Sequence, residues 1–333
     1  MKRPLLLAFV CPVVAFAAID GTVVNGTTGK PQPGVTITLV KPGQGGMRTL
    51  GTATSDATGH FAFSTDEPGG GPQLLQANYA GVNYNKLLTP NIPRSNVELD
   101  VFESTKSAAM ARIAQRMLLV EPTSGQIAVN ETVIVQNDSK QTYNDPSKGG
   151  FEFYLPPAAN GQVRVNAQGP QGMPLPRAAE KTRQTDIFKV DFPIKPGETQ
   201  FQVTYVLPAG SPFTFHGEVV AVPGMPAGPL RLVSPPGVTL SGKDIQQLGT
   251  EPNTQAAIYS VKANGPFTFD IAGIGSLRGT QAEPADASDS PQVTEGRPPL
   301  YAHMGWLLGL AFAILAVGLA VLFRTSPEEA SRT

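Results

Sequence analysis

Apolar and polar residues alternate with a period of two along most of the chain between residues 19 and 275. Every second side chain of a strand points to the same face, so each alternating run predicts a strand with one buried face. The runs are Val35-Ile37-Leu39, Phe61-Phe63, Val97-Leu99-Val101, Ile127-Val129, Phe151-Phe153-Leu155, Val163-Val165, Phe188-Val190-Phe192, Phe201-Val203-Tyr205, Phe213-Phe215 and Phe267-Phe269-Ile271. Turn-forming clusters such as Lys195-Pro196-Gly197 separate them. The pattern predicts an all-β fold made of two tandem antiparallel β-sandwich domains.

The predicted strands fall into two groups, which sets the expected domain boundary. The first domain covers residues 19–103 and the second, Ig-like or similar, covers 104–275. Residues 276–300 are polar and acidic and contain several prolines, so they lack the apolar area needed for a core. We expect them to form a disordered, extended stalk.

The N-terminus has the features of a secretory signal peptide over residues 1–18. Lys2 and Arg3 precede an apolar stretch from Leu5 to Phe16, and Ala15-Phe16-Ala17 is an A-x-A cleavage site. About a dozen apolar residues are too few to span a bilayer unaided. The alternative interpretation is an uncleaved membrane anchor.

The C-terminal region predicts a transmembrane helix over residues 301–323. Met304 to Phe323 is a run of 20 residues without a charge, followed by Arg324. A buried core helix is the alternative. With the signal peptide, this segment predicts a single-pass protein of the bacterial cytoplasmic (inner) membrane. Its ectodomain would be periplasmic or extracellular, and its tail, residues 324–333, would be cytoplasmic.

Two further features bear on the compartment and on assembly. Cleavage after Ala17 removes Cys11, the one cysteine, and an exported ectodomain without disulfides is typical of a bacterial envelope. Gly305, Gly309 and Ala313 follow each other at intervals of four on the predicted transmembrane helix. Small residues at that spacing allow two helices to pack closely, which would permit a homodimer.

Residues 19–100 resemble the carboxypeptidase regulatory-like domain, a transthyretin-like β-sandwich of the carbohydrate-binding-like group. The matching segments are Ile19-Asp20-Gly21-Thr22-Val23-Val24, Pro33-Gly34-Val35-Thr36-Ile37-Thr38-Leu39, Thr54-Ser55-Asp56-Ala57-Thr58-Gly59-His60-Phe61 and Tyr79-Ala80-Gly81-Val82-Asn83-Tyr84. The resemblance implies an accessory module attached to a larger surface protein, without peptidase activity. Independently of it, Asp56 and Gly59 are read as turn residues, since Asp accepts backbone N–H groups and Gly supplies a positive φ.

Composition and charge exclude several classes of function. Gly (35) and Pro (32) make up about a fifth of the 333 residues, which disfavours helical bundles and doubly wound α/β enzymes. A net charge of −1 with 15% charged residues provides no basic field for nucleic acid. His60, His216 and His303 lie in unrelated contexts, and no G-x-S-x-G or P-loop motif is present. The sequence therefore predicts a protein that is not an enzyme and has no catalytic residues, no metal site and no cofactor.

The best candidates for ligand contact are Tyr79, Asn83 and Tyr84, because exposed aromatics beside amides suit carbohydrate. The alternative is that both tyrosines close the first sandwich. The leading functional hypothesis is a non-catalytic, membrane-anchored scaffolding or binding protein that presents its sandwiches to a protein partner in the envelope. A carbohydrate-binding ectodomain, for envelope polysaccharide or peptidoglycan, is the second hypothesis, and an uncharacterised hydrolase is the weakest.

Overall fold

The computed structural model describes residues 19–277, except 44–45, 65–70, 90–91, 171, 211–212, 221, 223, 227 and 263–264. Over these residues the chain is all-β, with several antiparallel sheets, two short 3-10 helices (Ala108–Met110 and Pro157–Ala159) and no α-helix. The all-β class predicted from the alternation is confirmed. No helix in the described part is long and apolar enough to cross a membrane.

Several predicted segments lie outside the described residues. They are the signal peptide (1–18), the transmembrane segment (301–323) with Gly305, Gly309 and Ala313, and the tail (324–333). The predicted stalk (276–300) also lies outside, apart from its first two residues.

Eight strands occupy the first part of the chain. They are β1 (Ile19–Asn25), β2 (Lys30–Pro31), β3 (Thr36–Gly43), β4 (Gly46–Thr54), β5 (His60–Phe63), β6 (Gln73–Tyr79), β7 (Val82–Leu88) and β8 (Val97–Val101). One sheet has the order β4-β3-β6-β7, and a second joins β2, β1 and β5, with β8 also paired to β1. Inward side chains of both sheets, such as Phe61 and Leu75, form a single buried apolar cluster, named here the N-terminal core. The arrangement is sandwich-like.

Sixteen strands follow. They are β9 (Ser104–Thr105), β10 (Ala111–Thr123), β11 (Gln126–Asn137), β12 (Thr142–Tyr143), β13 (Phe151–Tyr154), β14 (Val163–Gln168), β15 (Leu175–Arg177), β16 (Glu180–Lys181), β17 (Ile187–Val190), β18 (Gly197–Pro208), β19 (Phe213–Glu218), β20 (Leu230–Ser234), β21 (Val238–Ser241), β22 (Ile245–Thr250), β23 (Ala257–Val261) and β24 (Pro266–Gly273). An eight-stranded sheet has the order β15-β14-β18-β11-β10-β20-β23-β22. Two three-stranded sheets have the orders β13-β17-β16 and β19-β24-β21.

These three sheets share a second buried apolar cluster, named here the C-terminal core. Phenylalanine rings form much of its interior. Phe151 of β13 stacks on Phe201 of the eight-stranded sheet with 5.0 Å between ring centroids, and Phe215 stacks on Phe269 at 4.9 Å. Burial of one such side chain stabilises the fold by roughly 1.5–3 kcal/mol. The Phe151–Phe201 stack therefore joins two facing sheets, whereas Phe215 and Phe269 stack on neighbouring strands of one sheet.

Among the described strands, three pairs are parallel and depart from the antiparallel pattern expected from the sequence. They are β1–β8, β10–β20 and β9–β12. Parallel neighbours need a crossover connection and are distant in sequence. Alternation within a strand carries no information about such a distant partner.

Candidate functional site

Asp56 and Gly59 lie in the turn between β4 and β5. One carboxylate oxygen of Asp56 accepts hydrogen bonds from the Thr58 hydroxyl (2.7 Å), the Thr58 N–H (2.8 Å) and the His60 N–H (2.9 Å). These hydrogen bonds lower the pKa of the carboxyl group, and the bond from the Thr58 hydroxyl has the largest effect. Gly59 has a φ of 77°, and a Cβ there would lie 2.7 Å from the Val23 carbonyl oxygen. Both residues shape the turn. No group of three His, Cys, Asp or Glu side chains suited to a metal ion occurs among the described residues.

Tyr79, Asn83 and Tyr84 belong to the β6–β7 hairpin, and the structure brings Tyr84 into the protein interior. Its side chain is 3% exposed. Its hydroxyl donates to the Phe102 carbonyl oxygen (2.9 Å) and lies 2.8 Å from the Thr142 hydroxyl. Burial raises the pKa of this phenol. The ring of Tyr84 therefore has no face open to a sugar.

Tyr79 is half-buried and takes part in a polar cluster with Asn25 and Glu103. The Tyr79 hydroxyl donates to a Glu103 carboxylate oxygen at 2.6 Å, and the Asn25 amide donates to the same oxygen at 2.8 Å. Burial, and secondly the bond to Glu103, raise the pKa of Tyr79 to about 12. Asn83 is exposed, and its side-chain oxygen accepts from the Asn78 amide at 2.8 Å. The two tyrosines thus bind other parts of the chain.

The region where these bonds meet connects the two cores, and we call it the junction: residues 25–27, 79–84, 102–105, 140–144 and 194–195. Thr27 donates through its hydroxyl to the Lys140 carbonyl oxygen. β9 and β12 pair in parallel within the junction. The Lys195 ammonium donates to the Asn83 carbonyl oxygen (2.5 Å) and lies 5.1 Å from the centre of the Tyr84 ring. Burial, and secondly the charge of Arg177, lower the pKa of Lys195 to about 8.

The C-terminal core contains a buried ion pair that the sequence-based predictions do not include. Arg116 is 2% exposed and Glu131 is 5% exposed, and the Arg116 Nε donates to a Glu131 carboxylate oxygen. A second guanidinium nitrogen donates to the Val220 carbonyl oxygen at 2.9 Å. The burial of Glu131 could have been predicted from the sequence, because Glu131 occupies an inward position in the alternating series from Ile127 to Val135.

On the side of the eight-stranded sheet opposite the C-terminal core, the middle of four adjacent strands carries uncharged side chains, and this patch is named here the outer face. Its residues alternate with buried ones along four adjacent strands and are partly exposed. They are Gln115, Met117 and Leu119 of β10, Asn130, Thr132 and Ile134 of β11, Asn166 and Gln168 of β14, and Gln200, Gln202 and Thr204 of β18. On these four fully described strands, outward-facing charges lie toward the strand ends, as at Arg164 and Glu198, and on the neighbouring β20 the partly exposed Arg231 lies directly beside Met117. Charge depletion at the centre of a surface is typical of protein–protein interfaces.

Compared with models of known protein families and with curated protein sequences, the chain matches none.

Proposed function

We propose that this protein is a non-catalytic, membrane-anchored scaffolding or binding protein of the bacterial envelope. Its two tandem β-sandwich domains (19–103 and 104–275) face the outside of the cytoplasmic membrane and are presented to a protein partner. The predicted signal peptide and the uncharged run from Met304 to Phe323 support export and anchoring. The resemblance of residues 19–100 to a carboxypeptidase regulatory-like domain supports an accessory rather than a catalytic role.

The observation that carries the proposal is the uncharged outer face. Thr132 lies at its centre, directly opposite Gln202 on one neighbouring strand and Met117 on the other. The amide, hydroxyl and apolar side chains next to it carry no charge that a covering protein surface would have to desolvate, and the charged Arg231 lies at the border of the face beside Met117. The junction adds support, because hydrogen bonds between the two cores favour presentation of the domains as one body.

A carbohydrate partner receives less support from the β6–β7 hairpin. Stacking on sugar requires an exposed aromatic face, whereas the Tyr84 ring is buried and the Tyr79 hydroxyl is held by Glu103. A protein partner is the better-supported proposal.

Placing a charge at the centre of the outer face tests this function. In Thr132→Arg the new guanidinium reaches solvent in the free protein, but a partner covering the face would have to desolvate it without a counter-ion. We expect the amount of protein partner crosslinked and recovered with the full chain from its native membrane to fall about tenfold, a loss of about 1.4 kcal/mol in binding.

The matched control is Thr52→Arg, the same change at an exposed position of β4 in the N-terminal sheets. Recovery should stay at the wild-type level with this variant. Equal recovery with both variants, each shown to be folded by its thermal unfolding, would exclude the outer face as the binding surface.

A further inference from the structure

A groove of about 470 Å³ opens between the β16–β17 hairpin and the segment that follows β13. This volume falls within the range of about 300–1,000 Å³ that is usual for ligand pockets. A second described cavity, beside Arg116 and Glu131, has a volume of about 20 Å³ and holds about one water molecule. The groove is thus the larger of the two described cavities and the one with room for a ligand.

Backbone hydrogen bonds hold both walls of the groove in place. In the hairpin wall, the Thr182 N–H and hydroxyl both donate to the Ile187 carbonyl oxygen at 3.0 Å. The opposite wall is tied to the hairpin by the Leu155 N–H, which donates to the Asp186 carbonyl oxygen at 2.9 Å. Asn160 and Asp186, one on each wall, both adopt left-handed backbone conformations, with φ of 51° and 61°. A pre-formed site of this kind binds with a small ordering cost.

The floor of the groove is apolar. Leu155, Pro156, Ile187 and Phe188 line it, and all four residues are largely buried. Phe188, the one aromatic residue of the lining, is 7% exposed. The floor therefore offers apolar contact to an aliphatic side chain of a peptide.

The rim of the groove is positively charged. Lys181 and Arg183 line it, are exposed, and form no ion pair with any other described residue. Asp186 is the one acidic residue of the lining, so the charged side chains sum to +1. Unpaired cations above an apolar floor complement a ligand that combines carboxylates with aliphatic side chains.

We propose that the groove binds an extended acidic peptide segment of a protein partner. Alternate side chains of an extended peptide point in opposite directions, so aliphatic residues can face the floor while carboxylates reach Lys181 and Arg183. β16 is an edge strand of its sheet, which leaves its outer side available to a further strand. This inference rests on the proposed role as a protein-binding scaffold. It adds the chemical character of one segment of the partner that the groove would bind.

Fluorescence anisotropy with a defined probe tests the inference. The full chain in mild detergent is titrated into a labelled, end-capped octapeptide of alternating glutamate and valine. A second octapeptide of alternating glutamine and valine is the uncharged control. We expect saturable binding of the acidic peptide that weakens between ~0.05 M and ~0.5 M salt, and at least about tenfold weaker binding of the control peptide.

Two variants locate the binding. The double variant Lys181→Gln with Arg183→Gln should weaken binding of the acidic peptide about tenfold. The control is Lys30→Gln combined with Lys243→Gln, which makes the same change in net charge at exposed positions outside the lining. This control should leave binding unchanged. Thr185→Trp keeps both cations but fills the groove, and it should also abolish binding. Equal weakening by both double variants would show that only net charge matters and would overturn the inference.

Other outcomes separate this inference from the proposed function. Binding of a tri-uronate sugar but not of the acidic peptide would overturn the peptide assignment in favour of a glycan. If the peptide fails to bind while Thr132→Arg still lowers partner recovery about tenfold, the groove inference fails and the scaffold function stands. If the peptide binds and partner recovery is insensitive to Thr132→Arg, the scaffold proposal fails at the outer face instead.

Discussion

At the residue scale, Arg116 and Glu131 are the side chains with the largest expected effect on stability, because they form an ion pair inside an apolar core. A β-bulge between Ile113 and Gln115 shifts the register of β10, so the inward series continues at Arg116 instead of Gln115. The guanidinium then meets the carboxylate of Glu131 and lies 5.6 Å from the centre of the Phe151 ring. Each buried charge is tolerated because the other is present.

Removing one charge of this pair should therefore destabilise the protein strongly. Glu131→Gln leaves the Arg116 charge buried without a counter-ion, and we expect the free energy of unfolding in urea to fall by about 3 kcal/mol. The control is Arg112→Gln on the same strand, which breaks an exposed ion pair with Asp138 (3.5 Å) and should cost less than about 1 kcal/mol.

A double replacement checks the physical cause. Arg116→Met combined with Glu131→Met removes both charges, so a large part of the lost stability should return. If Glu131→Gln and Arg112→Gln cost the same, the pair in the core has no special role in stability.

At the element scale, the alternation of side chains predicts individual strands well but not their neighbours. Phe201, Val203 and Tyr205 predict β18 and its buried face, and all three side chains are buried. The parallel β10–β20 pair and the bulge in β10 could not be predicted, because both depend on partners that are remote in sequence. The groove walls likewise come from two segments that tertiary packing brings together.

The junction also depends on contacts between segments that are remote in sequence. The sequence shows Tyr79 and Tyr84 as aromatics near the amide side chains of Asn78, Asn83 and Asn85, which predicts a ligand site. Their hydrogen-bond partners Glu103, Phe102 and Thr142 are supplied by later segments of the chain. A local motif cannot distinguish a tyrosine that binds a ligand from one that binds the protein itself.

The junction also predicts a pH dependence, because Lys195 has a pKa of about 8 in the folded protein, below its usual value of about 10.4. Between these values the unfolded chain binds more protons at this site than the folded protein, so stability rises with pH. Going from pH ~7.5 to pH ~9.5 should increase the contribution of Lys195 to the free energy of unfolding by an amount on the order of 1 kcal/mol.

Lys195→Met keeps the aliphatic stem and removes the titrating group. Comparison of urea unfolding at the two pH values should therefore show a smaller rise for this variant than for the wild type. Both pH values lie below the range in which Tyr79 changes the stability. Tyr79 has a pKa of about 12 in the folded protein, so stability falls as the pH rises above about 10, where the tyrosine of the unfolded chain loses its proton. An identical pH dependence in both proteins would show that Lys195 is not the responsible group.

At the scale of the whole molecule, the last described residues fix where the chain leaves the C-terminal core. The Gly275 N–H donates to the Pro122 carbonyl oxygen (3.0 Å), and the Leu277 N–H donates to a carboxylate oxygen of Glu121 (2.8 Å). Both acceptors lie near the end of β10, beside its turn into β11. The predicted stalk thus begins at one end of the strands that carry the outer face, and Thr132 lies further along β11. We propose that the outer face binds the protein partner.

Site-specific photo-crosslinking in the native membrane tests this account most directly. A benzophenone amino acid replaces Thr132 at the centre of the outer face in one full-length chain and, as the control, Thr52 on β4 in another. The account predicts a discrete protein adduct after irradiation from position 132 and none from position 52. Two results would contradict the claim that the outer face binds a protein partner. One is an adduct from position 52 alone, and the other is the absence of an adduct from both positions.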